Sequence, residues 1–184
     1  MGLSPLQSGL RDLLLARSVT RGDFVLASGR RSSVYVDARK TTMAGAGLTL
    51  IGALGLERLD ARGWAPRSVG GLTLGADPVA YAIAAAAHAR GRLLDAFTVR
   101  KAPKTHGTGQ RIEGCFEFGM PVVVIEDVIT SGGSARDAIA ALREAGARIL
   151  GVLALVDRQE GGRAALEADG VAVDTCITAA DLGL

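Results

Sequence analysis

Long apolar runs are missing from this chain of 184 residues: Gly, Arg or Asp interrupts each one, so no stretch reaches the length of a membrane span. The first residues also lack the charged, apolar, small-residue order of a secretory signal peptide. Cysteine is almost absent. Cys115 and Cys176 are widely separated and fit no metal spacing, which leaves two free, buried thiols in a reducing cytoplasm as the expectation. Neither sign of charge dominates: 21 Lys and Arg against 19 Asp and Glu give a formal net charge of +2. That sum alone argues neither for nor against nucleic acid, because the distribution of charge matters more. Aromatic residues make up only 4 % of the chain, and Ala, Gly, Val and Leu dominate, as close helix–sheet packing favours. No repeat, low-complexity tract or long linker divides the sequence, and its length suits one domain with a sizeable core.

The apolar residues that are present change period along the chain. Ser4 to Arg17 carries Leu6, Leu10, Leu13 and Leu14 at helical spacing behind Ser4 and Pro5, and predicts a helix that serves as a packing or dimerisation surface. Phe24 to Leu26 and Val34 to Asp37 flank a Ser28-Gly29-Arg30-Arg31-Ser32-Ser33 turn and predict a hairpin. Ala44 to Leu59 is expected to be a glycine-containing apolar helix, Val69 to Leu72 a short strand, Val79 to His88 a helix opened by Pro78, and Leu93 to Val99 a strand. Ile149 to Val156 is apolar almost throughout, the pattern of a parallel strand buried on both faces. A short helix over Gly162 to Asp169 and an alternating edge strand over Val171 to Ile177 follow. Strands alternating with helices predict an α/β fold with a central, mostly parallel sheet flanked by helices and joined by right-handed crossovers.

One stretch organises the rest. Val122 to Ile125 is too short for a helix and too apolar for a surface strand, so it is expected to be buried on both faces. Two adjacent acids follow, Glu126 and Asp127, then Thr130, Ser131, Gly132, Gly133 and Ser134. Ala135, Ala138, Ile139, Leu142 and Ala145 then mark an amphipathic helix, with Gly146 as its C-cap glycine. Glycine and serine are common turn formers, and the loop alone would be an ordinary β–α turn. The acidic pair changes that balance, since charge at the carboxyl end of a parallel strand lies where open α/β sheets bind ligands. Backbone N–H groups at the loop and the helix start suit an anion, whereas carboxylates suit sugar hydroxyls or Mg²⁺-bound oxygens. The unit is suited to a ribose 5-phosphate, with the phosphate in the loop and the diol on the acids.

Two further loops carry candidate chemistry. Gly70 to Pro78 strings together small residues that let backbone approach an anion; neither a dinucleotide fingerprint nor a Gly-Lys-Ser/Thr motif is present. Arg100, Lys101, Lys104, His106 and Arg111 share a loop with Gly107, Gly109 and Gly114. Most charge runs are solvated faces, but mutual repulsion in this one would be offset by an arriving anion, and the glycines suit a moving lid. Arg158 ends the Ile149 strand, where a planar guanidinium could pair bidentately with a carboxylate.

Glu126 to Ser134 resembles, without a gap, the phosphoribosyl-pyrophosphate (PRPP) signature of the type I phosphoribosyltransferases: two acids, two further residues, then Thr-x-Gly-x-Ser. Arg-Lys-x-x-Lys-x-His-Gly from Arg100 to Gly107, followed by Glu113-Gly114, resembles the catalytic loop of the orotate phosphoribosyltransferases, as distinct from hypoxanthine, adenine or uracil relatives. Phe24 to Asp37 resembles their amino-terminal hood. The resemblance spans essentially the whole chain. It implies a single phosphoribosyltransferase domain over 1–184, with a hood over about 1–40 and a core over 41–184. The implied reaction converts orotate and PRPP to orotidine 5′-monophosphate and pyrophosphate with Mg²⁺, which is bound mainly through PRPP, with no direct protein ligand.

The resemblance also implies roles. Lys104, His106 and Asp127 would be catalytic; Arg100, Lys101, Lys104, His106 and the run Glu126, Asp127, Val128, Ile129, Thr130, Ser131, Gly132, Gly133 and Ser134 would bind PRPP. Leu72, Thr73 and Leu74 would form the pyrophosphate loop, and Thr130, Arg158, Tyr35 and Val36 would place orotate. A cytoplasmic homodimer with shared active sites is implied, with no membrane or nucleic-acid partner. Two departures stand out: a lysine frequent in the hood is Ala27 here, and a lysine that several relatives carry in the pyrophosphate loop is Leu74 here. Two other readings stay open. A phosphoribosyltransferase for another base is disfavoured by the basic loop and Arg158, because a carboxylated base needs a cation. A PRPP-sensing regulator of the same fold would carry a separate basic segment for nucleic acid.

Overall fold

The structure is a computed structural model that describes residues 2–25, 31–102 and 111–184. In chain order the described elements are α1 (Pro5–Arg17), β1 (Val19–Val25), β2 (Arg31–Val36), α2 (Arg39–Thr42), α3 (Gly45–Ala61), β3 (Ser68–Leu72), α4 (Ala76–His88) and β4 (Asp95–Val99). They continue with β5 (Ile112–Gly114), β6 (Pro121–Ile129), α5 (Gly133–Glu144), β7 (Arg148–Asp157), α6 (Gly162–Ala168), β8 (Val173–Thr178) and a 3₁₀ turn (Ala180–Leu182). Among these, β1 and β2 form an antiparallel hairpin, and six strands form the sheet in the order β5-β4-β3-β6-β7-β8. Every pair in that sheet is parallel except β4–β5.

The strand order fixes where a ligand can enter. From β3 the chain steps outward to β4; from β6 it steps the other way to β7 and β8. The order reverses between β3 and β6, so their carboxyl ends open a crevice that no crossover covers. The sheet holds this crevice rigidly because successive β6 side chains feed opposite cores. Val123 and Ile125 join Leu10, Leu14, Ile51, Leu54 and Ile83 from α1, α3 and α4. Val122 and Val124 join Ala138, Ile139, Leu142 and Leu166 from α5 and α6.

Local chemistry explains the element ends. Ser4 caps α1 reciprocally with Gln7, and Pro5 fills the first turn, as expected. Leu10 and Leu14 are fully buried, so α1 packs into the body of the molecule. Asp174, only 7 % exposed, pairs with Arg58 through both carboxylate oxygens and ties β8 to α3. Gly146 takes a left-handed φ of 78° just past α5, the cap expected of it.

Four expectations need correction. β6 does not stop before the acids: pairing with β7 carries it through Glu126 and Asp127 to Ile129, so the carboxylates are strand residues. Ile112–Gly114, expected to be part of a loop, adds an antiparallel edge strand. Cys115, expected to be buried, follows that edge strand and is exposed, whereas Cys176 is buried. β8 occupies the sheet edge, but Val173–Ile177 is buried without alternation, because α1, α3 and α6 pack against it. Leu26, Ala27 and residues 28–30 of the expected turn lie outside the described residues, as do Lys104 and His106, while Arg31 to Ser33, expected in that turn, already belong to β2.

The helix layer depends on close approach. A Cβ at Gly52 would lie 2.5 Å from the Ala82 carbonyl oxygen and 2.9 Å from the Ala86 Cβ, so glycine lets α3 and α4 touch backbone to backbone. Gly52→Ala is expected to cost about 1–3 kcal/mol through overpacking. That corresponds to a fall in Tm of roughly 2–12 °C for a chain of this size, read by calorimetry, with helix content unchanged by circular dichroism.

Candidate active site

A cavity of about 500 Å³ opens at the β3/β6 crevice. From β3 and the turn after it come Leu72, Thr73, Leu74 and Gly75; from β6, Glu126 and Asp127; from the start of α5, Ser134; and Lys101 and Arg39 complete the lining. The expected pyrophosphate loop, the acidic pair, one lid cation and the end of the phosphate loop therefore meet in one place.

The acids are held in a dry setting. Glu126 is 8 % exposed. Burial, with the Asp127 charge beside it as the second cause, pushes the Glu126 carboxyl up to about 8. Burial also raises Asp127, opposed by hydrogen bonds from the Val128 N–H and from Glu126 and by the charge of Arg39. Both carboxyls are thus pushed toward the protonated form, Glu126 the more strongly, and a hydrogen bond joins it to Asp127. The Val128 N–H donates to Asp127 Oδ1 at 3.0 Å. The turn after β3 lies directly on this acid: a Cβ at Gly75 would collide with the Asp127 carboxylate, so any larger residue there has to displace that side chain. Just before it, the Thr73–Leu74 peptide is cis, and the Thr73 N–H donates to Val99 O at 2.9 Å.

The phosphate loop is shaped by its own glycine and by a neighbour. Gly132, with φ 81°, turns the chain into α5, and no side chain caps that helix. The first-turn N–H groups of this 12-residue helix therefore lack an intrahelical or side-chain acceptor and can serve an anion. Thr130 O accepts from the Gly162 N–H at 2.8 Å, which fixes the loop against the start of α6. Thr130, Ser131, Gly133 and Ser134 are exposed.

The basic groups separate. Lys101 faces the cavity. Arg100 instead pairs with Glu113 at 3.0 Å across β4 and β5, and its N–H donates to Arg111 O at 2.8 Å. Arg111 forks onto Asp137 of α5, 3.0 Å to each oxygen. Arg158, Thr130, Tyr35 and Val36 do not line the cavity. The Arg158 N–H bonds Ile129 O at 3.0 Å, which places the residue at the same carboxyl edge of the sheet, and its guanidinium lies 3.2 Å from Glu160. Tyr35 is exposed on β2, its ring 5.7 Å from that of Phe24.

Two lining residues escaped the sequence reading. Gly75 belonged to a small-residue loop, but its pressure against Asp127 is purely tertiary. Arg39 had no motif; its one signal was Asp37 two positions earlier, which holds the Arg39 Nε at 2.9 Å and is itself kept below the usual carboxylate range by that cation. Among the described residues no three His, Cys, Asp or Glu side chains converge on a common point, so Glu126 and Asp127 could hold a hard cation only together with oxygens from a ligand.

No protein-family model matches the chain. It is 45 % identical over 175 residues to the orotate phosphoribosyltransferase of Mycobacterium avium (strain 104), which covers 95 % of each chain. The Mycobacterium tuberculosis H37Rv orotate phosphoribosyltransferase in complex with Fe(III) dicitrate superposes with a TM-score of 0.87 at 43 % identity, over 98 % of this chain and 100 % of that one. The same enzyme in complex with PRPP superposes with a TM-score of 0.83 at 42 % identity, again over 98 % and 100 %.

Glu126 makes the fold sensitive to pH. In the unfolded chain it would ionise near 4.5, but in the fold only near 8. Its contribution is therefore full below about pH 4.5 and is lost as pH rises through about 8, because the unfolded chain releases a proton that the fold retains. Glu126→Gln is expected to raise Tm by several degrees at pH 8.5 and to leave it near wild type at pH 5, flattening the calorimetric Tm–pH curve between them.

Proposed function

The chain belongs to the orotate phosphoribosyltransferase family, and we propose that it transfers the 5-phosphoribosyl group of PRPP to orotate, giving orotidine 5′-monophosphate and pyrophosphate in de novo pyrimidine synthesis. The observation that supports this reading most is the meeting of the Glu126–Asp127 pair, the uncapped start of α5 and the turn after β3 around one crevice.

In this reading the loop Thr130–Ser134 takes the 5-phosphate on its N–H groups, turning binding energy into orientation of the anomeric carbon. Asp127 accepts hydrogen bonds from the ribose diol, while Glu126, pushed toward its protonated form, donates a hydrogen bond to Asp127, which eases the repulsion between the two acids. The diphosphate lies toward the backbone of Leu72, Thr73 and Leu74. Lys101, joined from the 100–107 loop by Lys104 and His106, and by Arg100 on exchanging Glu113 for the anion, stabilises the charge that grows on the leaving group as the sugar becomes oxocarbenium-like. Orotate is placed by Thr130, Tyr35, Val36 and Arg158, whose guanidinium would exchange Glu160 for the orotate carboxylate. Mg²⁺ is the proposed cofactor, held mainly through PRPP, and when bound it neutralises charge on the diphosphate. The two acids fit such a cation in that limited way, since among the described residues no third acidic, His or Cys side chain joins them. We further propose a cytoplasmic homodimer in which the lid of one subunit serves its neighbour's site; two unpaired cysteines suit a reducing compartment.

Loss of orotate absorbance with PRPP and Mg²⁺ should be rapid, with hypoxanthine and uracil turned over at least ~100-fold more slowly; equal or faster use of either competitor would overturn the choice of base. Asp127→Asn should lower kcat/KM for PRPP by about 100-fold or more while the circular dichroism spectrum is unchanged. Full activity of that variant would remove Asp127 from the diol.

A further inference from the structure

We propose that Arg39 is a diphosphate-binding residue of this site, reaching the leaving group from α2; this rests on the PRPP reading above. The cavity must accept a group bearing about three negative charges, yet its loop wall is neutral, made by Leu72, Thr73, Leu74 and Gly75. Leu74, at the tip of that wall, is 65 % exposed and brings no charge. Among the described lining residues the cations are Arg39 and Lys101. A loop wall without a cation therefore faces a cation supplied from a different element.

Arg39 is built to be aimed. Asp37 Oδ1 accepts from the Arg39 Nε at 2.9 Å and from its backbone N–H at 3.3 Å, so the acid fixes both ends of the side chain. Asp37 is itself anchored, its N–H donating to Ser18 O at 2.9 Å. One turn on, the fully buried Thr41 hydroxyl lies 2.7 Å from that of Ser18, which roots α2 in the body. With Nε committed to Asp37, the two terminal nitrogens of the guanidinium remain as a fork on the cavity wall, a geometry that suits phosphate oxygens. The other anions of the reactants have other expected partners: the 5-phosphate has the amides of Thr130–Ser134, and the orotate carboxylate has Arg158.

Calorimetric titration of wild type, Arg39→Gln and Asp37→Asn with magnesium pyrophosphate and with ribose 5-phosphate tests this. Arg39→Gln should weaken pyrophosphate by about 10- to 100-fold and leave ribose 5-phosphate unchanged, which also serves as the control for folding. Asp37→Asn, which keeps the cation but releases it, should cost a smaller factor, about 3- to 10-fold. Steady-state KM should rise for PRPP and not for orotate. Unchanged pyrophosphate affinity in Arg39→Gln overturns the proposal, as does an equal loss of ribose 5-phosphate affinity or a change confined to orotate. Failure of the enzymatic reading would appear separately, as absence of turnover in wild type, while the pyrophosphate titration still decides the role of Arg39.

Discussion

Two adjacent carboxylates at the end of a strand buried on both faces are the constraint on which the cleft depends. Placing Glu126 and Asp127 largely out of water is unfavourable for charge; burial pushes both carboxyls toward the protonated form, and the charge of Arg39 opposes this at Asp127. Packing makes this tolerable. β6 is pinned between β3 and β7, and its alternating side chains are embedded in two separate cores, so the strand holds the acids in place at the cavity wall. A site that retains a proton and rigid geometry is ready for hydroxyl groups, which both donate and accept.

Charge elsewhere in the site follows a division of labour. The phosphate loop is neutral and works through backbone dipoles at an uncapped helix start. Lys101 and Arg39 bring side-chain charge from opposite parts of the chain, one after β4 and one after the hairpin. Arg100 and Arg111 are spent on Glu113 and Asp137, where they brace β5 and α5. A basic run in sequence thus splits into residues that contact the cavity and residues that hold the edge around it.

How much of this the sequence disclosed depends on the range of the responsible interaction. β3, β4, β7 and the helices other than α2 were legible because hydrophobic period and caps such as Ser4 and Gly146 are local. The acidic pair and the Thr130–Ser134 loop were legible because strand, carboxylates and glycines are contiguous. The extension of β6 to Ile129 was not, because charge at Glu126 argues locally against a buried strand and only pairing with β7 overrides it. β5 is three residues long and owes its existence to β4. Arg39 and Gly75 were invisible for the same reason: one acts through a turn that sets it facing a distant strand, the other through contact with an acid fifty-two positions away.

That last contact has an engineering corollary. Residues 75 and 127 share a single volume, so a side chain gained at the turn must displace the carboxylate. Anyone redesigning the donor pocket for a bulkier leaving group would gain by varying the two positions together, since a side chain at 75 moves the acid that faces the donor.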